Sequence, residues 1–232
     1  MMIFLKQNRY LAIIPARGGS KRVVNKNILD LNGKPLISYT IEAGLNSKYI
    51  DKVVVSSDSD KILRIAKQHN AQTIKRPDNL ANDTSSSFDA VKHTIENLEK
   101  FEYIILLQPT SPLRTYKHID EAIELLQTKD ADAIISVSET EHNPLWSNII
   151  TKDKSMKNFL PNEIKNKRSQ DLEKYYRLNG AIYICKTDIL LKQETFFIDE
   201  NIFAYEMSRE NSIDIDTRLD FIVAEAILAI DN

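Results

Sequence analysis

One cysteine in 232 residues excludes a disulfide framework, and a reducing compartment suits such a chain. That cysteine, Cys185, lies in the apolar run Ala181-Ile182-Tyr183-Ile184-Cys185 and reads as a small buried hydrophobe. Neither sign of charge dominates: 31 Lys and Arg against 33 Asp and Glu leave a formal net charge of -2. No global pull towards nucleic acid or an anionic membrane follows, so any basic site must be local. Nothing approaches the ~20 consecutive apolar residues of a membrane span. The first ten residues lack the basic-then-apolar-then-small order of a signal peptide, so a cytoplasmic location is expected. Internal repeats and low-complexity segments are also missing.

What remains is an ordinary globular composition, 42% hydrophobic and 28% charged, in a length that one core can serve. A single domain over residues 1–232 is expected. Short apolar runs alternate with amphipathic segments. Strands are predicted at residues 11–15, 52–56, 103–107, 133–137 and 180–185. Helices are predicted at 36–45, after Asp58 or Ser59, at 85–100, at 116–128 and at 218–230. In the last of these Leu219, Ile222, Val223, Ala226, Ile227 and Ile230 are expected to face inward. Strands buried on both faces and separated by helices define a mostly parallel α/β sheet. Ligands bind such sheets beyond the carboxyl ends of the strands, which directs attention to the polar residues there. The rhythm breaks at residues 139–174, a polar stretch with Pro144, Pro161 and a basic cluster at 165–168. It reads as a solvated loop or as a partner-binding arm.

Four post-strand segments carry chemistry. Behind the first strand comes Ala16-Arg17-Gly18-Gly19-Ser20-Lys21-Arg22, then Asn25-Lys26-Asn27. Paired glycines let backbone N–H groups approach an anion, and the cations Arg17, Lys21, Arg22 and Lys26 surround them. A triphosphate would suit this loop. The spacing is neither that of a Walker A loop nor that of a dinucleotide fingerprint, and a plain basic turn is the rival reading. Near the other end stands Ser212-Ile213-Asp214-Ile215-Asp216-Thr217. In an extended segment Asp214 and Asp216 point one way and Ile213 and Ile215 the other. Two carboxylates without histidine or thiol suit Mg²⁺, or Mn²⁺ in its place, rather than zinc. An acidic outer strand face followed by Thr217 as a helix cap would look the same. Third, Gln108-Pro109-Thr110-Ser111-Pro112-Leu113-Arg114 is a proline-stiffened turn, with Ser111 or Thr115 as a candidate cap. Fourth, Ser56-Ser57-Asp58 reads first as a helix cap.

Taken in order, these segments resemble the acylneuraminate (CMP-sialic acid) cytidylyltransferase family. The matching stretches are Ile13-Ile14-Pro15-Ala16-Arg17-Gly18-Gly19-Ser20-Lys21, Lys26-Asn27, Val55-Ser56-Ser57-Asp58, Lys75-Arg76-Pro77, residues 107–114, Asn179-Gly180-Ala181-Ile182-Tyr183 and residues 212–217. Enzymes for legionaminic, pseudaminic and Kdo sugars share the nucleotide half of this pattern. The resemblance implies a Rossmann-like nucleotidyltransferase (nucleotide-diphospho-sugar transferase) fold. It also implies a homodimer in which an arm, about residues 139–177, protrudes and swaps into the partner.

By position, Ala16, Arg17, Gly18, Gly19, Ser20, Lys21, Asn27, Arg76 and Ser87 would bind the nucleotide. Arg17, Lys21 and Asp216 would be catalytic, with Asp214 and Asp216 holding Mg²⁺. Gln108, Asn179, Tyr183, Phe196 and Phe197 would line the sugar site, where Arg168 or Arg177 would pair with a carboxylate. The implied substrates are CTP and a nonulosonic acid, with legionaminic acid or another bacterial nonulosonic acid as the alternative to N-acetylneuraminic acid. Three positions depart from the family pattern: Arg22 stands where glycine is common, Arg168 is displaced by one position, and Trp146 replaces a lysine found in some relatives. The rival functions are nucleotidyl transfer to a neutral hexose 1-phosphate and a non-catalytic nucleotide-binding protein.

Overall fold

A computed structural model of the chain describes residues 8–19, 23–82 and 85–230. The central sheet is built from β1 (Tyr10–Pro15), β4 (Ile50–Ser57), β5 (Gln72–Lys75), β6 (Tyr103–Leu106), β7 (Ala133–Glu139), β8 (Tyr176–Lys186) and β9 (Ile202–Met207). β2 (Asp30–Leu31) and β3 (Lys34–Pro35) form a separate two-stranded ribbon. Across the sheet the order is β5-β4-β1-β6-β8-β7-β9. Every neighbouring pair is parallel except the two that involve β8, which runs against both β6 and β7. The mostly parallel α/β reading therefore holds, with one reversed strand. Because β8 is reversed, its beginning lies beside the carboxyl ends of β6 and β7. That puts Asn179 and Gly180 at the ligand-binding edge.

The helices are α1 (Leu36–Asn46), α2 (Asp60–Gln68), α3 (Ser87–Glu96), α4 (Tyr116–Lys129), α5 (Thr187–Gln193) and α6 (Arg218–Ile230). Alternate strand residues go to opposite faces. Ala12, Ile14, Val53, Val55 and Ile105 pack with Ile37, Ile41, Ile62, Ile119 and Ile123 of α1, α2 and α4. Leu11, Ile13, Val54, Ile104 and Leu106 pack with Val91 of α3 and Leu190 of α5. β1 is buried on both sides, with Ile13 and Ile14 both at 0% exposure, as its unbroken apolar run requires. Cys185 is fully buried, and burial pushes its thiol pKa up to about 12, consistent with an inert packing residue.

Helix starts follow local chemistry. Ser59, not Asp58, caps α2 by accepting from the Ile62 N–H. Ser86 and Asp89 form a capping box at the start of α3, and Thr115 and His118 do so for α4. α3 is shorter than the pattern predicts, ending at Glu96 with Asn97 as its C-cap.

The inward face of α6 needs correction. Phe221 and Ala224 are buried, and Leu228 is partly so, against Leu31, Leu36, Ile213 and Ile215. Leu219, Ile222, Val223 and Ile230, expected inside, are exposed, and so is Ala226; Ile227 is half-buried. Apolar residues cover most of this helix's circumference, so periodicity alone did not single out a face.

Residues 140–175 contain no strand or α-helix, only turns and two short 3-10 helices at Pro144–Trp146 and Ser169–Asp171. Their base is closed by Thr140 N–H donating to Tyr175 O (2.9 Å) and by Asn143 Nδ2 donating to Glu173 O (2.8 Å). Beyond that base Ile149, Ile150 and Met156 are exposed, an unusual display of apolar side chains for a plain solvated loop.

Candidate active site

A cleft of about 480 Å³ opens beyond the carboxyl ends of β1, β5 and β6. Arg17, Lys26, Asn27, Arg76, Ser87, Gln108 and Asp216 are among the residues on its walls. The loop after β1 is braced at two points. Gly18 N–H donates to Asp58 Oδ1 (2.9 Å), and Asn27 Nδ2 donates to Arg17 O (3.0 Å). A Cβ on Gly18 would sit 3.1 Å from the Ser59 Cβ, so the packing against the start of α2 favours glycine there. Gly19 has no such neighbour within 4 Å among the described residues. Ala16 is buried and completes the β1 ladder through its N–H to Ser56 O. Ser20, Lys21 and Arg22, the rest of this loop, lie outside the described residues.

Arg76 is 5% exposed, and among the described residues its Nε and Nη2 have no hydrogen-bond partner. Among the described residues its closest carboxylate oxygen, Asp58 Oδ1, stands 4.0 Å away. Burial lowers the Arg76 pKa; Asp58 opposes this and the neighbouring Arg17 charge adds to it. A desolvated guanidinium with donors to spare, beside a second cation, is a strong recruiter of acceptor-rich anionic ligands. Ser85, Ser86 and Ser87 bring the N-terminus of α3 to the same wall.

The acidic segment forms the opposite wall. Ile215 N–H donates to Thr110 O (2.8 Å), tying it to the Gln108–Arg114 turn, while the Ile215 side chain is fully buried. Asp214 and Asp216 consequently face away from the core. Burial raises the Asp214 carboxyl above the usual range; a Thr110 hydrogen bond opposes this, the Asp216 charge adds to it, and Lys26 and Arg177 also oppose it. Asp214 Oδ1 is buried with no hydrogen-bond partner among the described residues. Among the described residues no third His, Cys, Asp or Glu joins the pair. Magnesium commonly takes one or two carboxylates and leaves its other positions to water and phosphate oxygens, so this donor set fits that ion. Thr217 and Asp220 cap α6 directly behind the pair: Thr217 N–H donates to Asp220 Oδ2 (2.6 Å).

Lys26 was visible in the sequence only as one of several loop cations. Its Nζ donates to Ile215 O and lies 3.3 Å from Asp216 Oδ1, with the side chain only 12% exposed. It joins the basic loop to the acidic segment. Asp58 likewise serves as a loop brace instead of the helix cap expected of it. Its position directly after β4 was the available signal.

The remaining candidates surround Asp214. Gly180, at φ +74°, is packed so that a Cβ would lie 3.1 Å from Gln108 Oε1 and 4.0 Å from Asp214 Oδ2. Tyr183 stacks at an angle on Phe196 (5.8 Å between centroids) and edge-on to Phe197 (6.2 Å). Burial raises the Tyr183 phenol pKa, with Asp214 as the second cause, which places the ring near that carboxylate. Phe197 is half-exposed and offers an apolar platform, while Phe196 is buried behind it. Arg177 donates to Glu141 Oε1 (3.0 Å) and to Ser212 O (3.3 Å). Asn179, only 1% exposed, lies beneath the site with its amide committed to other buried groups. Arg168 sits on the exposed arm, paired with Asp171 (3.0 Å), and does not line the cleft.

A basic cleft at the carboxyl edge of a mostly parallel sheet, with the Asp216 carboxylate on its wall, is the kind of site this fold class presents to a nucleotide. Residues 11–231 match the cytidylyltransferase family, and the chain belongs to it. The chain is 39% identical over 215 residues to the N-acylneuraminate cytidylyltransferase of Streptococcus agalactiae serotype III (strain NEM316), covering 91% of this chain and 51% of that protein. It therefore spans about half the length of that relative. It is 36% identical to the CMP-N,N'-diacetyllegionaminic acid synthase of Legionella pneumophila, over 95% of this chain and 96% of that one. A solved structure of CMP:2-keto-3-deoxy-manno-octonic acid synthetase complexed with CTP superposes with a TM-score of 0.72 at 18% identity, over 97% of this chain and all of the other. This likeness concerns the fold.

Proposed function

We propose that this protein is a cytoplasmic cytidylyltransferase that transfers CMP from CTP to the anomeric hydroxyl of a nonulosonic acid, releasing pyrophosphate. The observation that carries the reading is the juxtaposition, across one cleft, of Arg17, Lys26 and buried Arg76 with Asp216, two residues beyond Asp214. A nucleoside triphosphate needs cations for its phosphates, and a magnesium nucleotide needs oxygen ligands beside them. The names of the sequence relatives supply the base and the class of sugar.

In this reading Arg76, Asn27 and the serines at the start of α3 hold the nucleoside. Arg17, with Lys21 beyond the described residues, stabilises charge on the α-phosphate and the departing pyrophosphate. Tyr183, Phe197 and Gln108 orient the sugar so that its hydroxyl attacks in line, and no covalent enzyme intermediate is needed. Asp214 and Asp216 would hold Mg²⁺, which when bound supplies neutralisation of phosphate oxygens. Pyrophosphate release and product mass, measured with each of four nucleoside triphosphates against N-acetylneuraminic acid, legionaminic acid, Kdo and glucose 1-phosphate, test the proposal. Turnover is expected only with CTP and an acidic keto sugar, and the panel also identifies which one. Release from UTP or GTP with the hexose phosphate would overturn it.

The arm belongs to the same proposal: we take the protein to be a homodimer in which residues 139–177 reach the partner's cleft. Supporting this are exposed Ile149, Ile150 and Met156, and an Arg168 that does not line its own cleft. Arg168→Ala and Asp216→Ala, each inactive alone, are then expected to complement when unfolded and refolded together. Random pairing leaves one intact site in half of the dimers, or about a quarter of the wild-type rate. No recovery in a mixture that has formed dimers would show that the arm serves its own subunit.

A further inference from the structure

Asn179, expected at the sugar, is spent elsewhere. Between β7 and β8 the register slips: Ile135 pairs with Tyr183, but Val137 pairs with Leu178, so β8 bulges opposite Ser136. Asn179 and Gly180 lie in this bulge. Asn179 Oδ1 accepts from Ala181 N–H (3.1 Å) and from Ser136 Oγ (2.6 Å). The backbone donor fixes which end of the amide is oxygen. Nδ2 then donates to Ser212 Oγ (3.0 Å) and approaches Met207 Sδ (3.3 Å). Ser136 Oγ also accepts from Ile182 N–H (2.8 Å), and Ser212 Oγ donates to Ser208 O (2.6 Å). Asn179, Ser136 and Ser212 are each no more than 1% exposed. Each has its hydrogen bonds met inside the protein, so the Asn179 amide retains no donor or acceptor for a substrate.

We infer that Asn179 is a positioning residue that clamps Ser212 to the β8 bulge and thereby sets the place of Asp214, two residues on. The bulge meets that segment at both ends of the network. Asn179 holds the Ser212 hydroxyl, while Gly180 packs its backbone beside Gln108 and Asp214. Arg177, just before the bulge, holds the Ser212 carbonyl as well. Asp214 has one oxygen unpartnered among the described residues and a Thr110 hydrogen bond as its side-chain tether, so its aim depends largely on the backbone that carries it. Groups that orient metal-binding carboxylates affect affinity strongly without touching the ion.

The inference rests on the metal reading of Asp214 and Asp216, and the test separates the two. Mn²⁺ alone is titrated into the full chain and read by electron paramagnetic resonance, with the Mg²⁺ half-saturation and the sugar KM measured in turnover. Asn179→Ala and Ser212→Ala are expected to raise the Mn²⁺ dissociation constant about tenfold or more, with the Mg²⁺ requirement moving in step. The sugar KM should stay within about twofold, because no substrate contact is lost. The double variant should fall short of the product of the two single effects, since both changes cut the Asn179–Ser212 bond. If Asn179→Ala fails to fold, Ser212→Ala, which removes the acceptor for Asn179 together with the bond to Ser208 O, carries the test. Unchanged Mn²⁺ binding with a lowered Tm, or a raised sugar KM with metal constants intact, overturns the inference. Asp214→Asn is the control: if it too leaves Mn²⁺ binding intact, the metal reading falls and the inference with it.

Discussion

Asp216→Ala is expected to lower kcat/KM for CMP-sugar formation by about three orders of magnitude while leaving the fold intact. Neutralisation of phosphate oxygens by a bound divalent ion contributes several kcal/mol to such a transition state, and each ~1.4 kcal/mol is a factor of ten. Removing one carboxylate of the pair should forfeit most of that. The fold should tolerate the change because the Asp216 side chain is 50% exposed. The segment keeps its Ile215 anchor to Thr110 and its Thr217–Asp220 cap. Product formation measured by chromatography, beside a thermal melt, separates the two effects. Near-normal turnover would sink the metal assignment; a melt lowered by many degrees would make the loss uninformative and shift the test to Asp216→Asn.

The architecture was legible because its signals are one-dimensional. Five apolar runs became five strands within a residue or two at most ends, and Ser86, Thr115 and Thr217 sit where short polar side chains cap helices. The cleft was legible for a related reason: in a parallel sheet the residue after each strand is a site residue by topology. Arg17, Arg76 and Gln108 meet there from three different strands.

What escaped depends on the third dimension. α6 has apolar residues around most of its girth, and only its placement on Leu31 and Leu36 decided for Phe221 over Leu219. The β8 bulge has no pattern of its own beyond one glycine, yet it turns Asn179 from a surface ligand into a buried strut. A lysine among four cations does not announce which carboxylate it will meet.

That lysine has the second large expected effect. Lys26 is nearly buried, yet it bonds the Ile215 carbonyl and pairs with Asp216, so one ammonium serves both backbone and side chain of the acidic segment. Lys26→Met keeps the length and apolar stem but leaves that carbonyl without this donor and the two aspartates to repel each other. A lost charge-assisted contact at a preorganised site corresponds to a fall of about two to three orders of magnitude in kcat/KM. A purely structural role would lower stability and leave the pH profile in place; the electrostatic role moves it. Lys26 is one of the groups holding the Asp214 pKa down against burial and the charge of Asp216. Without it that pKa rises further, so Asp214 takes up its proton at a higher pH and the acid limb of the rate profile moves towards neutral. Lys26→Arg retains the charge on a bulkier, planar head, and should restore the position of the acid limb more fully than the rate. An acid limb in Lys26→Met that coincides with wild type would show that Lys26 serves Ile215 alone.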